Sequence, residues 1–156
     1  MNVRKSLAIV SLVAGLAGVT AVEAQEKKIT RADLPPAVEK TVAEQSKDAT
    51  IQGFSTELEN GKRIYELALT VNGYGRDISM DERGNIIEVE EEVALRSLPP
   101  AVKEGLTKAA GTGTIAKVES LAKNGKLVAY EAVVQNGKKR SEIQVGPDGK
   151  KLAHPE

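Results

Sequence analysis

The 156-residue chain has no cysteine, no tryptophan, a single histidine and only four aromatic side chains. Without cysteine there are no disulfides, thiolate metal centres, iron–sulfur clusters or cysteine nucleophile. The one histidine, His154, stands two residues from the end of the sequence, so the commonest general base and metal ligand is nearly missing too. Neither sign of charge dominates, with 22 basic against 22 acidic side chains. That balance excludes the strongly positive field on which nucleic-acid binding depends. There is no Gly-x-Gly-x-x-Gly or phosphate-binding loop, and no serine sits in a Gly-x-Ser-x-Gly context. The composition reads as a protein that is not an enzyme, with no catalytic residues, no cofactor and no metal. Its length suits one ordinary domain or two small ones.

What the chain does have begins with a leader. Arg4 and Lys5 precede an apolar stretch from Leu7 to Val19 broken only by Ser11 and glycines, and Val22 and Ala24 supply the small residues of a cleavage site. The stretch falls short of the ~20 residues a membrane-spanning helix needs. Residues 1–24 are therefore expected to be a cleaved signal peptide, leaving a product that starts at Gln25 and has no membrane span; the alternative is an uncleaved anchor helix. An exported chain without disulfides fits the bacterial periplasm or exterior better than a small eukaryotic secreted domain.

The rest of the chain repeats itself. Leu34-Pro35-Pro36-Ala37-Val38 recurs 64 residues later as Leu98-Pro99-Pro100-Ala101-Val102, and Asn60-Gly61-Lys62 recurs as Asn124-Gly125-Lys126. Tyr65-Glu66 answers Tyr130-Glu131, Arg76 answers Arg140, and Gly84 answers Gly149. The pattern predicts a tandem duplication with units at 29–92 and 93–156. In each unit a helix is expected after the paired prolines, with Asp33 and Ser97 as N-caps. Ala37, Val38, Thr41, Val42 and Gln45, then Ala101, Val102, Leu106 and Ala109, mark the helical stripes, though Gly105 weakens the second. Beyond the helices the period falls to two: Tyr65, Leu67, Leu69 and Val71 share one face of a strand, and Tyr130, Ala132 and Val134 share another. Asn-Gly at 60–61, 72–73, 124–125 and 136–137 predicts tight hairpins. Further turns at Asp81 to Gly84 and at Pro147-Asp148-Gly149 complete the pattern. Each unit then reads as a helix followed by a four-stranded antiparallel meander, with strands near 50–58, 63–71, 75–80 and 86–91, then 114–121, 127–135, 140–145 and 150–153. The class is α+β.

The helix-opening Leu-Pro-Pro-Ala-Val, the strands Tyr-Glu-Leu-Ala-Leu and Tyr-Glu-Ala-Val-Val, and the Gly-closed turns resemble PepSY and PepSY-like modules. The tandem arrangement is similar to the fold of the β-lactamase-inhibitory protein. The resemblance implies an exported module without catalytic residues, of the kind found in protease propeptides and envelope proteins.

Candidate binding residues come from the recurring pairs. Adjacent strand residues point to opposite faces, so Tyr65 and Tyr130 are expected under the helices, with Glu66 and Glu131 outside. These glutamates either grip a ligand on the open sheet face or pair across strands with Arg76 and Arg140. The acidic run Glu88, Glu90, Glu91, Glu92 reads as a solvated strand end and linker rather than a cation site, because Arg83 stands inside the neighbouring Asp81–Gly84 turn. Two functions follow. One is a binding or inhibitory module for an envelope protein or peptide; the other is a structural or stress-related envelope protein with no dedicated ligand.

Overall fold

The computed structural model describes residues 26–156; the leader expected at 1–24 lies outside them. Eight antiparallel strands form one sheet in the order in which they occur in the chain. They are β1 (Lys27–Ile29), β2 (Thr50–Glu59), β3 (Lys62–Val71), β4 (Tyr74–Met80), β5 (Ile86–Glu92), β6 (Thr114–Lys123), β7 (Lys126–Asn136) and β8 (Lys139–Val145). Helix α1 (Pro36–Gln45) lies between β1 and β2, and α2 (Pro100–Ala110) between β5 and β6.

This architecture corrects the expected pair of helix-plus-four-strand units. β5 pairs with β6 from Glu88↔Lys123 to Glu92↔Glu119, so the two expected sheets are one. Residues ahead of α1 add a strand, since Lys27–Ile29 pairs with Phe54–Thr56 of β2. The expected strand at 150–153 is reduced to one bridge, Val145↔Lys151.

Local chemistry explains the hairpins. Asn60-Gly61, Asn72-Gly73 and Asn124-Gly125 all take positive φ at both residues, the backbone of a two-residue turn that matches strand twist. The fourth hairpin is shifted by one residue. Asn136 closes it by pairing with Lys139, and only Gly137, at φ 58°, is left-handed.

The helices start two residues later than the N-cap chemistry predicts. Asp33 and Ser97 end short 3-10 turns instead, where the Asp33 carboxylate accepts hydrogen bonds from the Thr30 amide and hydroxyl. Pro35 and Pro99 are the caps, and Pro36 and Pro100 occupy first-turn positions where a missing N–H costs nothing. Val38 and Val42 of α1 pack with Tyr65, Leu67, Leu69, Ile78 and Met80. Val102 and Leu106 of α2 pack with Leu98, Val118, Ala132 and Val145. The strand registers put both sets on the same side of the sheet. That leaves the opposite face without a helix among the described residues.

Candidate functional site

Because side chains alternate along every strand, the residues between the core positions make up the open face, and the registers order them in rows. One row runs Ser55, Glu66, Ser79, Glu88, Lys123 across β2 to β6. The next runs Ala68, Asp77, Glu90, Leu121, Ala129 across β3 to β7. A third runs Glu92, Glu119, Glu131, Gln144 across β5 to β8. Each of the first two rows carries two carboxylates and the third carries three, against a single lysine among them all.

The first row is internally satisfied. The Ser55 hydroxyl donates to Glu66 Oε2 at 2.6 Å, and Lys123 Nζ lies 3.8 Å from Glu88 Oε2. The third is partly satisfied: Glu119 pairs with Lys117, and Gln144 Nε2 donates to Glu131 Oε2 at 2.8 Å. The middle row is not. Among the described residues neither Asp77 nor Glu90 has a hydrogen-bond or ion-pair partner, although oxygens of Asp77, Glu90 and Glu119 lie within 4.8 Å of one another. Burial, followed by repulsion from Glu119, Glu88, Glu131 and Asp77, pushes the Glu90 carboxyl up to about 8. Burial and Glu119 likewise push Asp77 up to about 6, against an opposing pull from Lys117. Converging, under-neutralised carboxylates favour positive charge, whether an ammonium, a guanidinium or a hard divalent ion held through oxygen.

The four residues singled out from the sequence are scattered. Glu66 and Glu131 both stand on the open face, but on β3 and β7, four strands and so roughly 19 Å apart at the usual strand spacing. They do not form one grip. Glu131 is 6% exposed, so it is buried rather than solvent-facing. The expected pairing of Arg76 and Arg140 with Glu66 and Glu131 is absent among the described residues. Arg76 faces the helix side opposite Leu69, where its Nε lies 3.1 Å from Glu91 Oε1 in an ion pair too bent to count as a hydrogen bond. Arg140 is exposed beside the last hairpin, opposite Gln135. The acidic run is likewise split by alternation: Glu88, Glu90 and Glu92 share the open face, while Glu91 turns to Arg76. Asp81 is occupied within its own turn, accepting from the amides of Arg83 and Asn85 at 2.9 Å each. Sequence reasoning missed the trio Asp77, Glu90 and Glu119. Alternation within Glu88–Glu92 already signals Glu90, but joining it to Asp77 and Glu119 requires the β4–β5 and β5–β6 registers.

The segment after β8 returns to this face. Glu156 donates its backbone N–H to Gln144 Oε1 at 2.8 Å, and its carboxylate lies 3.7 Å from Lys123 Nζ.

Compared by sequence, the chain matches no protein-family model and no curated protein, so the PepSY resemblance gains no support there. Solved structures do match. A DUF2874 family protein from Bacteroides ovatus superposes with a TM-score of 0.60 at 18% identity, covering 77% of this chain and 86% of that one. A BLIP-like protein from Bacteroides fragilis gives 0.57 at 18% identity, covering 76% and 83%. A Bacteroides eggerthii protein, described as a candidate periplasmic protein, gives 0.63 at 15% identity, covering 76% and 86%. Likeness at this level of identity speaks for the fold alone, and the fold of this chain is BLIP-like.

Proposed function

We propose that this protein is an exported, non-catalytic binding module of the bacterial envelope that holds a positively charged stretch of a protein or peptide on its open sheet face. The observation that carries the reading is the convergence of Asp77, Glu90 and Glu119 in the middle of a helix-free face, two of them without a partner. A sheet face of this kind presents fixed side chains to an extended or folded partner, with charge setting orientation and encounter rate. The location rests on the leader-like N-terminus and agrees with the periplasmic description of the Bacteroides eggerthii neighbour. No helix among the described residues is long and apolar enough to cross a membrane.

The test is capture from an envelope extract with residues 26–156, run beside an Asp77→Asn/Glu90→Gln variant and followed by titration of a lysine-rich peptide. The reading expects a stoichiometric partner that the variant loses, and peptide binding that weakens with salt. Equal capture by both forms, or binding of calcium but not of the peptide, would refute it.

A further inference from the structure

The segment Leu152–Glu156 is where the fold departs from a simple meander. After β8 the chain reverses at Gly146–Lys150, where the Gly146 N–H donates to the Lys150 carbonyl at 2.8 Å. Val145 then bridges Lys151, so Leu152 leaves alongside the sheet rather than away from it. Four residues later, Glu156 is tied to Gln144 on β8 and to Lys123 on β6. Both anchors belong to the carboxylate face, and β7 runs between them. Leu121, Ala129 and Glu131, which stand on that face between the anchors, are 3%, 0% and 6% exposed.

We infer that Leu152–Glu156 is a displaceable strap, seated across the β6–β8 side of the open face and released when a cationic partner binds there. The inference rests on the reading of that face as a binding surface. The strap's chemistry suits exchange. Its Glu156 carboxylate occupies Lys123, one of the few cations among the carboxylates, and its amide occupies Gln144, which orients Glu131. These are one neutral hydrogen bond and one long, partly exposed ion pair, contacts of small net value: a partner's ammonium or guanidinium can take the place of the Glu156 N–H at Gln144 Oε1, while Lys123 keeps its second pair, with Glu88. Tethering makes the strap an intramolecular competitor, whose effective concentration for a short link is in the millimolar range.

The chain's lack of cysteine allows a reversible lock. A Gln144→Cys/Glu156→Cys variant of residues 26–156, oxidised with diamide, closes the strap; reduction frees it. A lysine-rich decapeptide is titrated into the oxidised and reduced forms, the parent, and a chain stopped after Lys151. The expected result is binding weakened about tenfold or more in the locked form and restored by reduction, with the shortened chain binding at least as tightly as the parent. Equal binding by locked and reduced forms, or weaker binding by the shortened chain than by the parent, overturns the strap while leaving the face as a binding surface. Absence of binding by every form, the shortened chain included, overturns the reading of the face and the strap with it.

Discussion

Glu90 is a carboxyl group held where ionisation is costly. Its folded-state value near 8 lies far above that of an exposed glutamate, and Asp77 near 6 is displaced in the same direction. Through that window the folded chain keeps protons that the unfolded chain has lost, so stability declines as pH rises from the ordinary carboxylate range towards 8. Thermal melts followed by circular dichroism should give a higher Tm at about pH 5 than at about pH 8.5, and Glu90→Gln should flatten the slope. A wild-type Tm that rises across this range, or an unchanged slope in the variant, would show that the carboxyl is not held in its neutral form. The two repeated tyrosines differ in the same local way. The sparse apolar content of the second half predicts from sequence that Tyr130→Ala is the costlier change. The structure reverses the order, because Tyr65 is 7% exposed inside the α1 core, whereas Tyr130 is half-buried at the margin of the other. Urea melts should show Tyr65→Ala losing about 3–5 kcal/mol, the range for a large aromatic core truncation, and Tyr130→Ala losing less.

The elements meet at glycine. Gly84, in the turn before β5, has φ +75°, and a Cβ there would lie 2.4 Å from the Ala37 carbonyl oxygen of α1, while its own carbonyl accepts from the Thr41 hydroxyl at 2.8 Å. Gly149 has φ +78° and would meet the Ala101 carbonyl of α2 at 2.1 Å. Gly105, a poor helix former in the middle of α2, faces the Gly149 carbonyl, where a Cβ would lie at 2.0 Å. Each helix is thus pressed against a turn by backbone-to-backbone contact that side chains forbid. Gly149→Ala combines a left-handed backbone with a steric conflict and should cost more than about 1 kcal/mol. The measurement is a urea midpoint compared with that of Ala153→Gly in the neighbouring segment, which should stay close to wild type. Much at this scale was legible in the sequence: both helices, seven of the strands and three of the four Asn-Gly turns follow from periodicity and left-handed backbone preference. The caps were misplaced because the paired prolines push the helix start past Asp33 and Ser97. The Arg–Glu pairing failed because Arg76 shares parity with Ile78 and Met80, which places it under the helices.

At the scale of the molecule the decisive contact is the β5–β6 seam, which joins two separate hydrophobic clusters to one hydrogen-bonded sheet. Nothing local announces it. Its partners are separated in the chain by α2, and each strand alone reads equally well as the edge of a smaller sheet. The carboxylate trio was hidden for the same reason, since Glu119 reaches Glu90 only across this seam. A shared sheet should make unfolding a single event. Native-state amide exchange should give the same limiting free energy for the slowest amides of β3 and β7. Two distinct plateaus would mean that the halves open independently.

Every strand hydrogen-bonds to the strand that precedes it in the chain, with no crossover anywhere in the order. A chain fed into its compartment from the N-terminal end can therefore add strands as they arrive, each finding its partner already in place. Two closures are long: β2 must wait for residues 30–49, with α1, and β6 for residues 93–113, with α2, while the rest are tight turns. The seam is then the second pause in assembly, and the acidic strand β5 is the edge left exposed during it. Glu88, Glu90, Glu91 and Glu92 give that temporary edge the charge that keeps an unfinished sheet from pairing with its neighbours.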